Sequence, residues 1–170
     1  MLCQARRMRE MIPEPLTAEA FAPFGSVIEA SDAAVKLDIN RGHAIRYDAL
    51  AEVDVAEGGG VAVISIFRAR PLAALVLRTF ERHPLGSQTF VPLGGGPYLV
   101  AVAPAGPFDP ARIRLFRAQP HQGVHYGKGV WHHFLLVLAA SDFLVVDRAG
   151  PGDNCEEVAL AAGQEIRVRG

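Results

Sequence analysis

The residues best equipped for chemistry are gathered in one stretch, Glu81-Arg82-His83-Pro84-Leu85-Gly86-Ser87-Gln88. It sets a carboxylate, a guanidinium, an imidazole and a carboxamide within eight residues. A carboxylate and an imidazole two positions apart can act as a general acid/base pair or as two ligands of one metal ion. The apolar run Leu75-Val76-Leu77 leads into the stretch, so the approach reads as a strand. On a strand Glu81 and His83 share one face and Arg82 takes the other. Pro84 and Gly86 end that strand, and Gln88-Thr89-Phe90-Val91 begins the next. Polar groups at the lip of a hairpin are costly unless something polar binds there.

The elements that must position these groups are short. Thr17 is placed to cap a helix over Thr17 to Phe21, with Glu19 in its first turn. Strands are expected at Ser26–Glu29, Ala44–Tyr47, Val61–Phe67, Leu75–His83, Gln88–Val91, Tyr98–Ala103, Ile113–Phe116, Gly123–Tyr126, His133–Leu138, Phe143–Asp147 and Glu165–Val168. Gly94-Gly95-Gly96-Pro97, Pro104-Ala105-Gly106-Pro107 and Gly150-Pro151-Gly152 punctuate them. Helical periodicity is expected only near Val158 to Gln164, with Glu156-Glu157 opening a solvated turn. Many short strands with turns between them make an all-β sandwich or small barrel with short peripheral helices. Residues 1–12 read as an N-terminal extension and residues 13–170 as a single domain.

Composition narrows the function. The chain has 170 residues, 50% hydrophobic and 21% charged, with a net charge of −1. That is a globular composition with no basic field for a nucleic acid, and Arg6-Arg7-Met8-Arg9 is too short to supply one. No apolar run approaches the ~20 residues that span a bilayer. The arginines near the start are followed by no apolar stretch of a signal peptide. Two cysteines, Cys3 and Cys155, make no disulfide framework, and a cytoplasmic location is expected. Gly94-Gly95-Gly96 lacks the lysine and following helix of a phosphate loop and reads as a hairpin turn.

Spacing then suggests a family. From His83, four residues lead to Gln88 and six more to Gly95, which resembles the first cupin motif, with Glu81 and Gln88 in place of its first His and its Glu. Gly127-Lys128-Gly129-Val130-Trp131-His132 resembles the second, with Gly127 in place of Pro. A cupin-like small β-barrel or sandwich is therefore the expected architecture. Longer segments resemble the ureidoglycolate lyase (ureidoglycolate hydrolase) family of allantoin degradation. They are Glu81 to Pro92, Gln122-Gly123-Val124-His125-Tyr126, Val130-Trp131-His132-His133, Asp147-Arg148-Ala149-Gly150 and Asp153-Asn154-Cys155. Ile39-Asn40-Arg41-Gly42, Arg46-Tyr47 and Ile64 to Ala69 resemble its earlier segments. His125 stands where the family often has Asn, and Phe134 where it often has Pro.

The resemblance implies a homodimeric cupin-like lyase that splits ureidoglycolate into glyoxylate and urea. It also implies a divalent metal, nickel in particular, although a metal-free site stays open. Elimination needs a base for the carbinol proton, a donor for the departing nitrogen and a cation for the carboxylate. Glu81, His83 and His132 are the candidate catalytic groups. Arg46 or Arg148 would clamp the carboxylate, and Gln88 and Tyr126 would bind the ureido group, with Tyr47 beside Arg46. Glu81, His83, Gln88 and His132 are the ligands if a metal is bound. His133 is expected to face away from His132, His121 to lie in a solvated loop, and Asn154-Cys155 to form a turn with a packed thiol. Three alternatives remain: a hydrolase releasing ammonia and carbon dioxide, a non-catalytic cupin that binds a small carboxylate, and a metal-dependent cupin isomerase or dioxygenase.

Overall fold

A computed structural model describes residues 8–169. Its first strands are β1 (Arg9–Met11), β2 (Glu14–Pro15), β3 (Gly25–Ile28), β4 (Val35–Ile39), β5 (Ala44–Asp48) and β6 (Val61–Ala69). Then come β7 (Val76–Leu77), β8 (Thr79–Arg82), β9 (Gln88–Pro92), β10 (Tyr98–Ala103), β11 (Arg114–Ala118) and β12 (Gly123–Tyr126). The last are β13 (Trp131–His132), β14 (Leu136–Val137), β15 (Ser141–Ala149), β16 (Glu156–Ala159) and β17 (Ile166–Val168). The short helix α1 (Ala18–Phe21) starts as expected, with Thr17 Oγ1 accepting from the Ala20 N–H at 3.1 Å.

The all-β expectation holds, in its sandwich form. One sheet runs β16-β8-β13-β10-β11-β2, with β14 also on β10, and faces a second running β3-β12-β9-β15-β6. Neither order returns to its first strand. Tyr98, Val100 and Val102 of β10 point into the core between these sheets, against Phe90, Phe116, Val124, Phe143 and Val145. Leu99, Ala101 and Ala103 point the other way, into a second core with Leu77, Phe80, Leu115 and Ile166. All six residues of β10 are buried, which explains a strand sequence, Tyr-Leu-Val-Ala-Val-Ala, that has no polar alternation.

Three local expectations are corrected. Arg9–Met11, read as extension, is a strand in parallel pairing with Ile166–Val168, while residues 1–7, Cys3 among them, lie outside the described residues. Glu156–Ala159 forms β16, not a helical turn, because the edge of β8 pairs with it from Glu156↔Arg82 to Ala159↔Thr79; pairing overrides a weak local preference. The strand expected at His133–Leu138 is reduced to β14 at Leu136–Val137, and a separate two-residue strand, β13, precedes the expected span; both pair with β10.

Arg148 locks two loops from inside. It is 9% exposed, donates to the Glu57 carbonyl at 2.7 Å and to that of Pro151 at 2.8 Å, and lies where a side chain on Gly60 or Gly86 would collide with it. At Gly60 a Cβ would also meet the Val55 carbonyl. Gly60→Ala should therefore cost about 1–3 kcal/mol through overpacking. A thermal melt reads this as a Tm lowered by several degrees, and an unchanged Tm would show that the loop yields.

Candidate active site

The pairing of β8 with β13 sets Glu81 directly opposite His132. Glu81 Oε1 lies 3.4 Å from His132 Nε2, an electrostatic contact rather than an aligned hydrogen bond. His83 follows the end of β8, and its ring centre is 5.2 Å from that of His132. One ligand atom from each of Glu81, His83 and His132 falls within 4.8 Å of the others. The turn that opens the second motif secures this approach: Gly129 donates its N–H to the His83 carbonyl at 2.9 Å.

Both imidazoles are fixed from behind. His83 Nδ1 is 2.6 Å from the Asn154 carbonyl, and His132 Nδ1 is 3.1 Å from that of Val130. A carbonyl only accepts, so each Nδ1 carries the proton and each neutral ring presents an Nε2 lone pair. Asn154 also anchors the turn through its side chain, accepting from the Leu85 N–H at 2.8 Å. The buried His83 Nε2, His132 Nε2 and Gln88 Oε1 have no hydrogen-bond partner. With Glu81, this makes a convergence of acceptors, which a proton or a cation must relieve.

Glu81, Gln88, Tyr126, His132 and His133 line a cavity of about 360 Å³, whose other walls include Phe67, Phe90 and Phe134. His83 and Gln88 border a second cavity of about 260 Å³, which Asp147, Arg148, Asn154 and Cys155 also line. Tyr126 stacks on His132 with centroids 4.4 Å apart and planes at 15°. Once His132 takes up a proton, its N–H and charge hold the Glu81 carboxyl below its ordinary range, opposed by burial and helped by any positive charge on the His83 and His133 rings. Burial pushes the Tyr126 phenol well upward, so it stays a proton donor.

The structure thus gathers Glu81, His83, Gln88, Tyr126 and His132. Arg148 borders the second cavity, with its Nε and one Nη held by the Glu57 and Pro151 carbonyls. Arg46 and Tyr47 line neither cavity; they stand on the β4–β5 hairpin, Arg46 beside Asp48 and Tyr47 beneath Lys36. Arg82 faces away from the cluster as expected, paired with Glu156 and lying over Trp131.

Other placements depart from the sequence reading. His133 lines the main cavity together with His132, because β13 ends at His132 and strand alternation stops there. The Cys155 thiol is exposed, not packed. His125 is buried against Thr89 at 2.7 Å, whereas His121 is exposed and meets Glu29. Arg68 and Arg70, at the end of β6, also line the main cavity. Arg68 is held by two 2.9 Å hydrogen bonds to Asp142, and Arg70 is exposed. Nothing in the local pattern of β6 could have shown that its end walls the site.

The donor set fits a divalent ion: two imidazole lone pairs and a carboxylate converge, with a carboxamide oxygen at the same cavity. Nitrogen and oxygen donors of this kind suit several first-row metals without selecting one.

Residues 8–168 match the family model described as ureidoglycolate lyase. The ureidoglycolate lyase of Pseudomonas putida (strain W619) is 52% identical over 153 residues, covering 88% of this chain and 91% of its own. That of Stutzerimonas stutzeri (strain A1501) is 50% identical over 162 residues, covering 94% and 95%. Among solved structures, a mutant oxalate decarboxylase of Bacillus subtilis is 11% identical with a TM-score of 0.39. The match covers 64% of this chain and 27% of that one, a likeness too slight to build on.

Burial lowers the pKa of His125 below its ordinary value of 6.5. The unfolded chain then binds a proton that the folded one refuses, so this contribution to stability is present above about pH 6.5 and lost as pH falls. Wild-type Tm should drop between about pH 7.5 and pH 5.5. His125→Asn should flatten that slope, and identical slopes in the two proteins would clear His125 of the effect.

Proposed function

The chain belongs to the ureidoglycolate lyase family, and from that premise we propose that it splits ureidoglycolate into glyoxylate and urea at the Glu81–His83–His132 cluster. The observation that carries the reading is the convergence of two Nε2 lone pairs and a carboxylate on one buried point. No covalent nucleophile is needed. The substrate carries a hydroxyl, a ureido nitrogen and a carboxylate on one carbon. Removing the hydroxyl proton lets the C–O bond become a carbonyl as the C–N bond breaks, and the nitrogen takes a proton to leave as urea.

His83 suits the first proton, since Asn154 holds its Nδ1–H and leaves Nε2 free to accept. Glu81 and His132 form a pair that shares a proton and delivers it to the departing nitrogen; the carboxylate balances the imidazolium while the proton resides there. Gln88 and the protonated phenol of Tyr126 are placed to bind the ureido group. Exposed Arg70 at the mouth offers a charge to the carboxylate. The apolar walls around Phe67, Phe90 and Phe134 limit water and strengthen every one of these contacts.

A divalent metal, nickel among the candidates, would be held by Glu81, His83 and His132 with the Gln88 carboxamide beside them. Such an ion would polarise the carbinol oxygen and lower its pKa. The working unit in this reading is a homodimer in the cytoplasm; the exposed thiol of Cys155 suits a reducing compartment.

Glu81→Gln and His83→Ala should each lower kcat/KM by about 10²–10⁴-fold with the fold intact by circular dichroism. Wild-type turnover at either variant would remove the cluster from the mechanism. Product analysis should find urea and glyoxylate in equal amounts; ammonia without urea would move the assignment to the hydrolase. If the ion is part of the site, dialysis against a chelator should remove activity and nickel or manganese should restore it, and His132→Ala should abolish metal uptake by elemental analysis. Full activity in metal-stripped protein would leave proton transfer alone.

A further inference from the structure

The β4–β5 hairpin is a two-stranded sheet of its own, and neither strand packs extensively on any other element. An isolated hairpin in water is marginal at best. Residues directly opposite each other in an antiparallel pair share a face. Here Val35 faces Asp48, Leu37 faces Arg46 and Ile39 faces Ala44, so one face presents Val35, Leu37 and Ile39 with Arg46 at its centre. Those three apolar side chains are 63%, 42% and 37% exposed. Arg46 makes a 2.6 Å ion pair with Asp48 Oδ1 through one Nη, without an aligned hydrogen bond, whereas Arg68 makes two aligned bonds to Asp142. The remaining N–H groups of Arg46 are therefore open to a further carboxylate.

The same chain carries a second uncovered apolar surface. β6 is the edge strand of its sheet, with Ile64 72% and Ile66 56% exposed on the face away from the core. An edge this long and apolar is normally covered. Its far end, Phe67 to Arg70, is a wall of the cavity that holds Glu81 and His132. A twofold axis satisfies both surfaces on both molecules, since each copy offers the hairpin and receives on β6.

We infer that the β4–β5 hairpin of one copy lies over β6 of a second copy and carries Arg46 to the mouth of that copy's Glu81–His132 cavity. The occupant is a second copy because one apolar face meets another and because the receiving strand is continuous with the site. Each site is then built by two chains. The acid/base cluster comes from one, and a guanidinium for the substrate carboxylate comes from the other. Tyr47 lies on the opposite face of the hairpin, opposite Lys36, and takes no part in this contact. The inference rests on the lyase reading of the cavity for the role of Arg46, but not for the interface.

Light scattering should give twice the chain mass for the wild type. Leu37→Asp on the hairpin and Ile66→Asp on the receiving strand should each give single chains with unchanged circular dichroism. A wild-type monomer, or dimers in both variants, would overturn the interface. Arg46→Gln should lower kcat/KM by about 10–100-fold, mainly through KM. Co-expressing Arg46→Gln with Glu81→Gln should return about a quarter of the wild-type rate, because half of the molecules are mixed dimers with one intact site. Activity no higher than the two variants alone would place Arg46 and Glu81 in the same chain's site and overturn the shared site. Wild-type protein that forms no urea would sink the lyase reading, while the mass measurements would still decide the interface.

Discussion

The hydrogen bonds made by the far nitrogens of His83 and His132 decide what the main cavity can do. By donating Nδ1–H to the carbonyls of Asn154 and Val130, both rings are obliged to show a lone pair inward. A ring turned the other way would place a donor against Glu81 and satisfy it at once. As built, the chain leaves a deficit of positive charge in a buried place, and that deficit is the attraction for a proton, a metal or a substrate hydroxyl. The backbone around Asn154 is therefore as much part of the chemistry as the rings it orients, although it touches no substrate.

Much of this was legible in the amino acids. The spacing from Glu81 through His83 to Gln88 and the later Gly127 to His132 segment pointed to groups that the fold does bring together. The turn residues announced most of the strands, and Thr17 announced its helix. The failures have a common physical origin. β16 exists because the edge of β8 accepts it, and β1 because β17 does, so neither is encoded by its own sequence alone. His133 shares the cavity because β13 is only two residues long, a length fixed by neighbours and not by the residues themselves. The charge of Arg148 is visible in sequence, whereas the carbonyls that engage part of its guanidinium are not.

Charge placement also separates the arginines by function. Arg82, Arg68 and Arg148 each make two or more hydrogen bonds within the chain, and such guanidiniums brace strands and loops. Arg70 is exposed at the end of β6, and Arg46 on the hairpin makes a single ion pair, to Asp48. A carboxylate substrate is best met by a cation whose hydrogen bonds are still to be made.

β10 lies in contact with both cores, and its Val102 pairs directly with His132. A strand with solvent on one side can change half of its residues at little expense, and lineages drift there first. This one has no such side. Every position from Tyr98 to Ala103 answers to packing on one face or the other, so the ruler against which His132 is set has almost no room to evolve. Divergence within the fold should accumulate around the cavity mouth, while the placement of its innermost base stays nearly frozen.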